Sequence, residues 1–193
     1  MNNTEIIQAS GNLEIIKVYP NGSEEVVFSD HNVITSGLGV NLAIVFAGSG
    51  SNSIEDHQIR WFQLGSGAPT PGYGSEVYKL VAPFGNDYGV GINIDSHQLG
   101  APNGDSEAGT HYFAWIPHTS VRKTSPTSVT YILTLGILAC NGLDLKEIGL
   151  FVNNPYVKFI SPLVRSVLGA YRQFDVIKKT NDFSLVFRWT LSF

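Results

Sequence analysis

A single cysteine, Cys140, serves the whole chain of 193 residues, so no intrachain disulfide can form and no multi-thiolate zinc site can be built within one chain. Charge is also scarce. Charged residues make up 15% of the sequence, against the usual quarter or so, while hydrophobic residues make up 43%. Twelve Lys and Arg against sixteen Asp and Glu leave a net charge of −4, which gives no electrostatic footing for nucleic acid. No basic cluster exceeds an adjacent pair such as Arg122-Lys123. Long apolar runs are missing too; Ala43 to Ala47 is far too short to span a membrane. The opening MNNTEIIQASGN has no basic stretch leading into an apolar one, so no signal peptide is expected, and synthesis in a reducing compartment is the plain reading.

Reactive motifs are absent as well. Gly65-Ser66-Gly67 lacks the five-residue nucleophile elbow, and Gly37-x-Gly39 and Gly89-x-Gly91 lack the third glycine of a dinucleotide loop. No Gly-Lys-Ser/Thr closes a phosphate loop. Histidines near acids (His31 with Asp30, His57 with Asp56, His97 with Asp95) sit in scattered turns without metal-ligand spacing, so turn polarity is their expected role. His111 and His118 flank an aromatic strand, where packing is expected. Asn103, Asp105 and Glu107 lack the calcium-loop spacing and read as a solvated loop.

What the chain does have is strand pattern. From Phe183 the apolar residues fall on every second position: Phe183, Leu185, Phe187, Trp189, Leu191 and Phe193. A helix would scatter that set, whereas a strand puts it on one face, so these six are the expected core of a closing strand. Leu13 to Tyr19 and Glu25 to Phe28 flank Pro20-Asn21-Gly22 and predict a hairpin. Residues 36–47 predict the one short helix, with Leu38, Leu42, Val45 and Phe46 as its apolar stripe and Gly48-Ser49-Gly50 as its stop.

Gln58 to Leu64, His111 to Ile116, Thr127 to Cys140 (with Gly136 as a bulge), Leu145 to Val152, Tyr156 to Ile160, Leu163 to Leu168 and Tyr171 to Ile177 read as strands. Trp61 and Trp115 lie inside two of them and are expected to be buried. The spacing of turns predicts a mainly β, antiparallel sandwich or jelly-roll-like single domain over 1–193.

Residues 68–110 differ in composition, with glycine and proline throughout and room only for short edge strands at Glu76 to Val81 and Gly91 to Ile94. A loop of this length is functional or flexible as a rule, and its Tyr73, Tyr78, Phe84 and Tyr88 mark it as an expected contact surface.

Four stretches carry a family likeness: YPNGSEEVVFSDHNVITSGLGVNLA, FQLGSG, LKEIGLFVNN and IKKTNDFSLVFRWTLSF. Together they resemble bacteriophage virion proteins of the tail, baseplate and neck kind, which attach fibres. One departure is that related chains carry an Ala-Arg pair where this one reads Val157-Lys158-Phe159-Ile160. The resemblance implies a structural protein of the virion, made in the host cytoplasm, that forms a trimer or hexamer and docks other phage structural proteins. It transfers no catalytic residue, cofactor or metal.

A capsid decoration protein is the close alternative. A glycan-binding receptor module would use Tyr73, Tyr88, His97 and Asn103. An enzyme is not expected; a glycosidase would need two facing carboxylates, with Asp95, Asp105 and Glu107 as candidates, and no motif supports it.

Overall fold

The computed structural model describes residues 9–34, 36–47, 57–65, 111–153 and 166–193. The described chain is mainly β, with two antiparallel sheets of five strands each and one short helix. The first sheet runs in the order β2 (Glu24–His31), β1 (Ser10–Val18), β10 (Ser184–Ser192), β7 (Ser128–Leu135), β6 (Val121–Ser125). The second runs β3 (Val33–Ile34), β9 (Ser166–Lys178), β8 (Asp144–Asn153), β4 (Ile59–Gly65), β5 (His111–Trp115). Segments expected as strands at 76–81, 91–94 and 156–160 lie outside the described residues.

Strand β10 sits at the centre of the first sheet, as its alternation demands. Leu185, Phe187, Trp189 and Leu191 are buried, and Phe183 is buried just ahead of the strand. Two rows of side chains cross three strands: Leu13–Trp189–Tyr131 and Ile15–Phe187–Leu133. Fully burying one such side chain stabilises by roughly 1.5–3 kcal/mol. The opposite face is polar and cross-linked by short bonds: the Thr130 and Thr190 hydroxyls meet at 2.8 Å, those of Ser128 and Ser192 at 2.9 Å, and Arg188 reaches Glu14 at 3.2 Å.

Phe193 does not share the core. It lies beyond the end of β10 and is 40% exposed. The reason is register: Ser192 pairs with Ser128, the first residue of β7, so the next side chain has no row to join, although the Phe193 N–H still donates to Thr127 O at 3.0 Å.

Strand β8, inside the second sheet, is buried on both sides. Ile148, Leu150 and Val152 of β8 join Phe62, Leu64 and Ala170 in a core cluster that also takes in Leu13, Leu133 and Trp189 of the first sheet. Trp61, Glu147, Phe151, Leu168 and Tyr171 form a second buried set outside that cluster. That explains why LKEIGLFV reads as a nearly continuous apolar run, a strand with two covered faces.

Helix α1 (Ser36–Ala47) docks Leu38 into the core, with Leu42 packed partly against it. Phe46, expected in the apolar stripe, is 83% exposed. It lies about 80° around the helix from Leu38, and Asn41 occupies the buried side instead. The Asn41 amide donates to His57 O at 2.7 Å and its oxygen lies 3.1 Å from His57 Nδ1, so this polar pair ties the helix to the start of β4.

Candidate functional site

Most of the residues singled out for contact or ligand roles lie outside the described residues: Tyr73, Tyr78, Phe84, Tyr88, Asp95, His97, Asn103, Asp105 and Glu107. The others resolve into structural roles. Asp30 accepts the His31 backbone N–H at 2.7 Å and pairs its second oxygen with Arg172. His57 binds Asn41, as above. No group of three or more His, Cys, Asp or Glu able to hold a metal occurs among the described residues. No helix among them is long and apolar enough to cross a membrane.

The chemistry gathers at the start of β4. Between Ile59 and Trp61 the register with β8 slips, which makes Arg60 the extra residue of a bulge. Bulges re-aim side chains and often sit beside sites. The Arg60 carbonyl accepts from Ile116 N at 2.8 Å, holding the point where the chain leaves β5. The guanidinium carbon stands 5.1 Å from the ring centre of Trp115, and Nη1 donates to His118 Nε2 at 2.6 Å. Arg60 is only 6% exposed, and its Nε has no hydrogen-bond partner among the described residues.

The strand position of Trp115 favours burial, yet the side chain is half exposed. Its cross-strand partner Trp61 is buried and meets it edge to face at 4.6 Å, whereas Trp115 is 44% exposed. The position explains the difference, since Trp115 is the last residue of β5, an edge strand of the second sheet among the described residues. Next to it opens a cavity of about 210 Å³, walled by Trp115, Pro117, Phe62, Ile132 and Leu133, with Ser120 and Thr134 as its hydroxyl-bearing members.

A second polar cluster lies at the turn after β7. Lys179 is wholly buried, and its Nζ donates to Ile137 O at 3.1 Å, Asn141 Oδ1 at 3.1 Å and Thr180 O at 2.6 Å. Burial pushes the Lys179 amine pKa down, against the opposing pull of Cys140 and Asp182. Burial likewise pushes the Cys140 thiol up to about 11, which favours the protonated thiol at neutral pH. Three oxygens around one ammonium make this a structural clamp.

The third feature is the pair of open edges of the first sheet. Among the described residues β2 and β6 each have one unpartnered side. β2 carries Glu24, Glu25 and Asp30, and β6 carries the exposed Arg122 and Lys123. The acids are touched by cations of their own sheet or the other one, Lys17 to Glu25 at 3.8 Å, Arg188 to Glu24 at 4.0 Å and Arg172 to Asp30. Such exposed pairs are each worth about 0–1 kcal/mol and leave the edges available.

Sequence reasoning missed Arg60 and strand β6. An arginine inside the apolar run QIRWFQL was the available signal for the first, and nothing in VRKTS announces the second. Comparison with protein-family models, with curated proteins and with solved structures finds no match for this chain.

Proposed function

We propose that this chain is a structural component of a phage particle, of the tail, baseplate or neck, acting by self-assembly and by docking neighbouring virion proteins or fibres. Its two sheets pack as an antiparallel sandwich, a fold with two edges per sheet to manage. The observation that carries the assembly reading is the opposite sign of the two edges of the first sheet, Glu24, Glu25 and Asp30 on β2 against Arg122 and Lys123 on β6. Unpaired edge strands are templates for another chain. Complementary edges favour head-to-tail contacts, and such heterologous contacts close into rings when the rotation allows. A trimer or hexamer fits this rule.

In this reading segment 68–110 reaches a neighbour and offers Tyr73, Tyr78, Phe84 and Tyr88 as amphipathic contact area. The same features suit a capsid decoration protein. Light scattering on the purified chain, with and without residues 68–110, tests the proposal. A defined oligomer that falls to monomer on deletion supports it, and a folded monomer in both cases contradicts it.

A further inference from the structure

Strands β6 and β7 do not run alongside each other to the end. β7 stays paired with β10 as far as Leu135, opposite Leu185, but β6 begins only at Val121, opposite Tyr131. Ahead of Val121 the chain is turned off that line at Pro117 and the short 3-10 helix His118–Ser120. Among the described residues, 132–135 therefore have a strand on one side only. In an antiparallel ladder each residue turns both backbone groups to one neighbour, and successive residues alternate. Thr127 O accepts from Phe193 N on the β10 side, so Thr134, an odd number of residues further on, turns its N–H and C=O away from β10. Thr134 is exposed, and among the described residues no backbone bond is made to those two groups. The cavity of about 210 Å³ opens at this same edge: β7 contributes Ile132, Leu133 and Thr134, and the chain leading into β6 contributes Trp115, Pro117 and Ser120. An unpaired backbone beside a side-chain pocket is the pattern of strand addition, in which main-chain bonds give affinity and the pocket gives specificity.

We propose that this edge takes residues 76–81 (EVYKLV) of a second copy of the chain, paired to β7 at Thr134 with the Tyr78 side chain in the cavity.

The proposal rests on the assembly reading and names the donor and the acceptor within it. Size comes first. The cavity exceeds the ~150 Å³ that accepts a benzene-sized ring and falls below the roughly 300 Å³ where pockets for drug-sized ligands begin, so one aromatic side chain is the right scale. Its lining joins the Trp115 indole to the hydroxyls of Ser120 and Thr134, which suits a ring with a hydroxyl at its tip, that is, tyrosine. Of the tyrosines between 68 and 110, Tyr73 and Tyr88 border glycine, which strands avoid. Tyr78 stands between Val77 and Val81 in a β-prone run.

Charge agrees. Residues 68–110 hold five acids (Glu76, Asp87, Asp95, Asp105 and Glu107) against one base, Lys79, so 1 − 5 leaves a net −4. The acceptor edge continues directly into the exposed Arg122 and Lys123 of β6, the sign that steers such a segment in. Position agrees too. The donor segment leaves the described chain at Gly65 and returns at His111, which face each other at one end of the β4–β5 pair, and Trp115 stands at the other end. Donor and acceptor at opposite ends of one strand pair link copies head to tail, and such links close into a ring when the rotation allows.

The experiment uses the full chain carrying Tyr78→Ala, whose cavity is free of its native occupant, and a dye-labelled peptide of residues 74–83 followed by fluorescence anisotropy. The expected result is saturable binding, weakened at least about tenfold when the peptide itself carries Tyr78→Ala, the scale of losing an interface anchor. Adding Trp115→Ala to the chain, or Thr134→Pro, weakens it to the same degree. Proline at 134 removes the N–H that faces the incoming strand and none that faces β10, so the ladder with β10 survives. Thermal unfolding accompanies both variants, and either one that folds decides. Light scattering is expected to show that Tyr78→Ala has lost the parent's oligomer. No binding, binding indifferent to Tyr78 of the peptide, or binding that a folded Trp115 or Thr134 variant leaves unchanged overturns the proposal, and so does a Tyr78→Ala chain that keeps the parent's mass. A monomeric parent overturns the assembly reading and the exchange between copies with it, whereas an oligomeric parent whose Tyr78→Ala chain ignores the peptide overturns this inference alone.

Discussion

Lys179 Nζ lies 3.1 Å from the side-chain oxygen of Asn141, joining residues 38 apart in sequence at a point with no exposed surface on the lysine. The backbone repeats the link: Gly142 N donates to Lys179 O and Lys179 N to Leu143 O, both at 2.9 Å. The turn between β7 and β8 is thereby fastened to the turn between β9 and β10. Replacing Lys179 by Ala leaves carbonyls at Ile137 and Thr180 without their donor, and an unsatisfied buried group costs about 1–3 kcal/mol. Urea unfolding of Lys179→Ala is expected to show a loss of about 2–4 kcal/mol, on the scale of removing two such partners. Asn141→Ala is expected to lose about 1 kcal/mol, one hydrogen bond's worth. The double variant should lose less than the sum, since both belong to one network.

The closing strand gives a contrast between two aromatic residues of the same alternation. Trp189 lies in the centre row of the first sheet, between Leu13 and Tyr131, while Phe193 has run past the end of β7. Trp189→Ala is expected to cost about 3–5 kcal/mol. Phe193→Ala is expected to cost about 0.5 kcal/mol, the range of an ordinary surface change. Chemical denaturation with an unchanged m-value would check both, and similar losses for the two would contradict the register described here.

Gly11 predicts a third effect. A Cβ there would stand 1.9 Å from Asn32 Oδ1, and Asn32 also donates its backbone N–H to Gly11 O at 3.0 Å. The asparagine lies flat on the bare backbone where the hairpin strand leads into β3. Gly11→Ala forces that side chain aside and is expected to destabilise by about 1–3 kcal/mol, as overpacking does. Thermal unfolding of the variant is the check, and an unchanged midpoint would refute the close approach.

Alkaline pH should weaken the fold in a defined window. Burial raises Tyr131 from 10.0 to about 12 and Cys140 from 9.0 to about 11. A group whose folded pKa is raised contributes stability that is complete below its unfolded pKa and is lost as pH climbs through the folded one. Stability is therefore expected to decline from about pH 9 for Cys140 and from about pH 10 for Tyr131. Lys179, with its pKa lowered by burial, acts in the opposite sense and regains stability as pH approaches its unfolded value of 10.5. Unfolding midpoints of Tyr131→Phe against pH should fall less steeply above about pH 10 than those of the parent chain.

Much of the fold was legible where local and tertiary demands agree. The Pro20-Asn21-Gly22 turn marks the hairpin, with Gly22 at a φ of 83° that glycine alone adopts without strain. The helix spans Ser36–Ala47 as its stop signal requires, and the alternation from Phe183 marks the central strand.

The misreadings have physical causes. Gly169-Ala170 looks like a break between two strands, yet β9 runs unbroken over Ser166–Lys178, because the small residues accommodate a register slip opposite Leu150 and Phe151. Gly136 is not a bulge within a long strand: β7 stops at Leu135, and Gly136 O accepts from Ala139 N at 3.2 Å as a turn begins. β6 is an edge strand whose VRKTS carries no burial pattern, since edges need none. Arg60, Trp115 and Lys179 depend on partners 38 to 58 residues away or on a strand end, and no local window contains that information.

The central claim is that copies of this chain assemble through complementary edges, and exchange of edge charge tests it most directly. The measurement is mass in solution by light scattering for the parent chain, for Arg122→Glu with Lys123→Glu, for Glu24→Lys with Glu25→Lys, and for the two variants mixed. The account predicts a defined oligomer for the parent, folded monomers for each variant alone and, for an even ring such as a hexamer, recovery of the oligomer on mixing, since the two variants then alternate and each altered edge meets its complement. A parent chain that stays monomeric, or variants that keep the parent's mass, would contradict it.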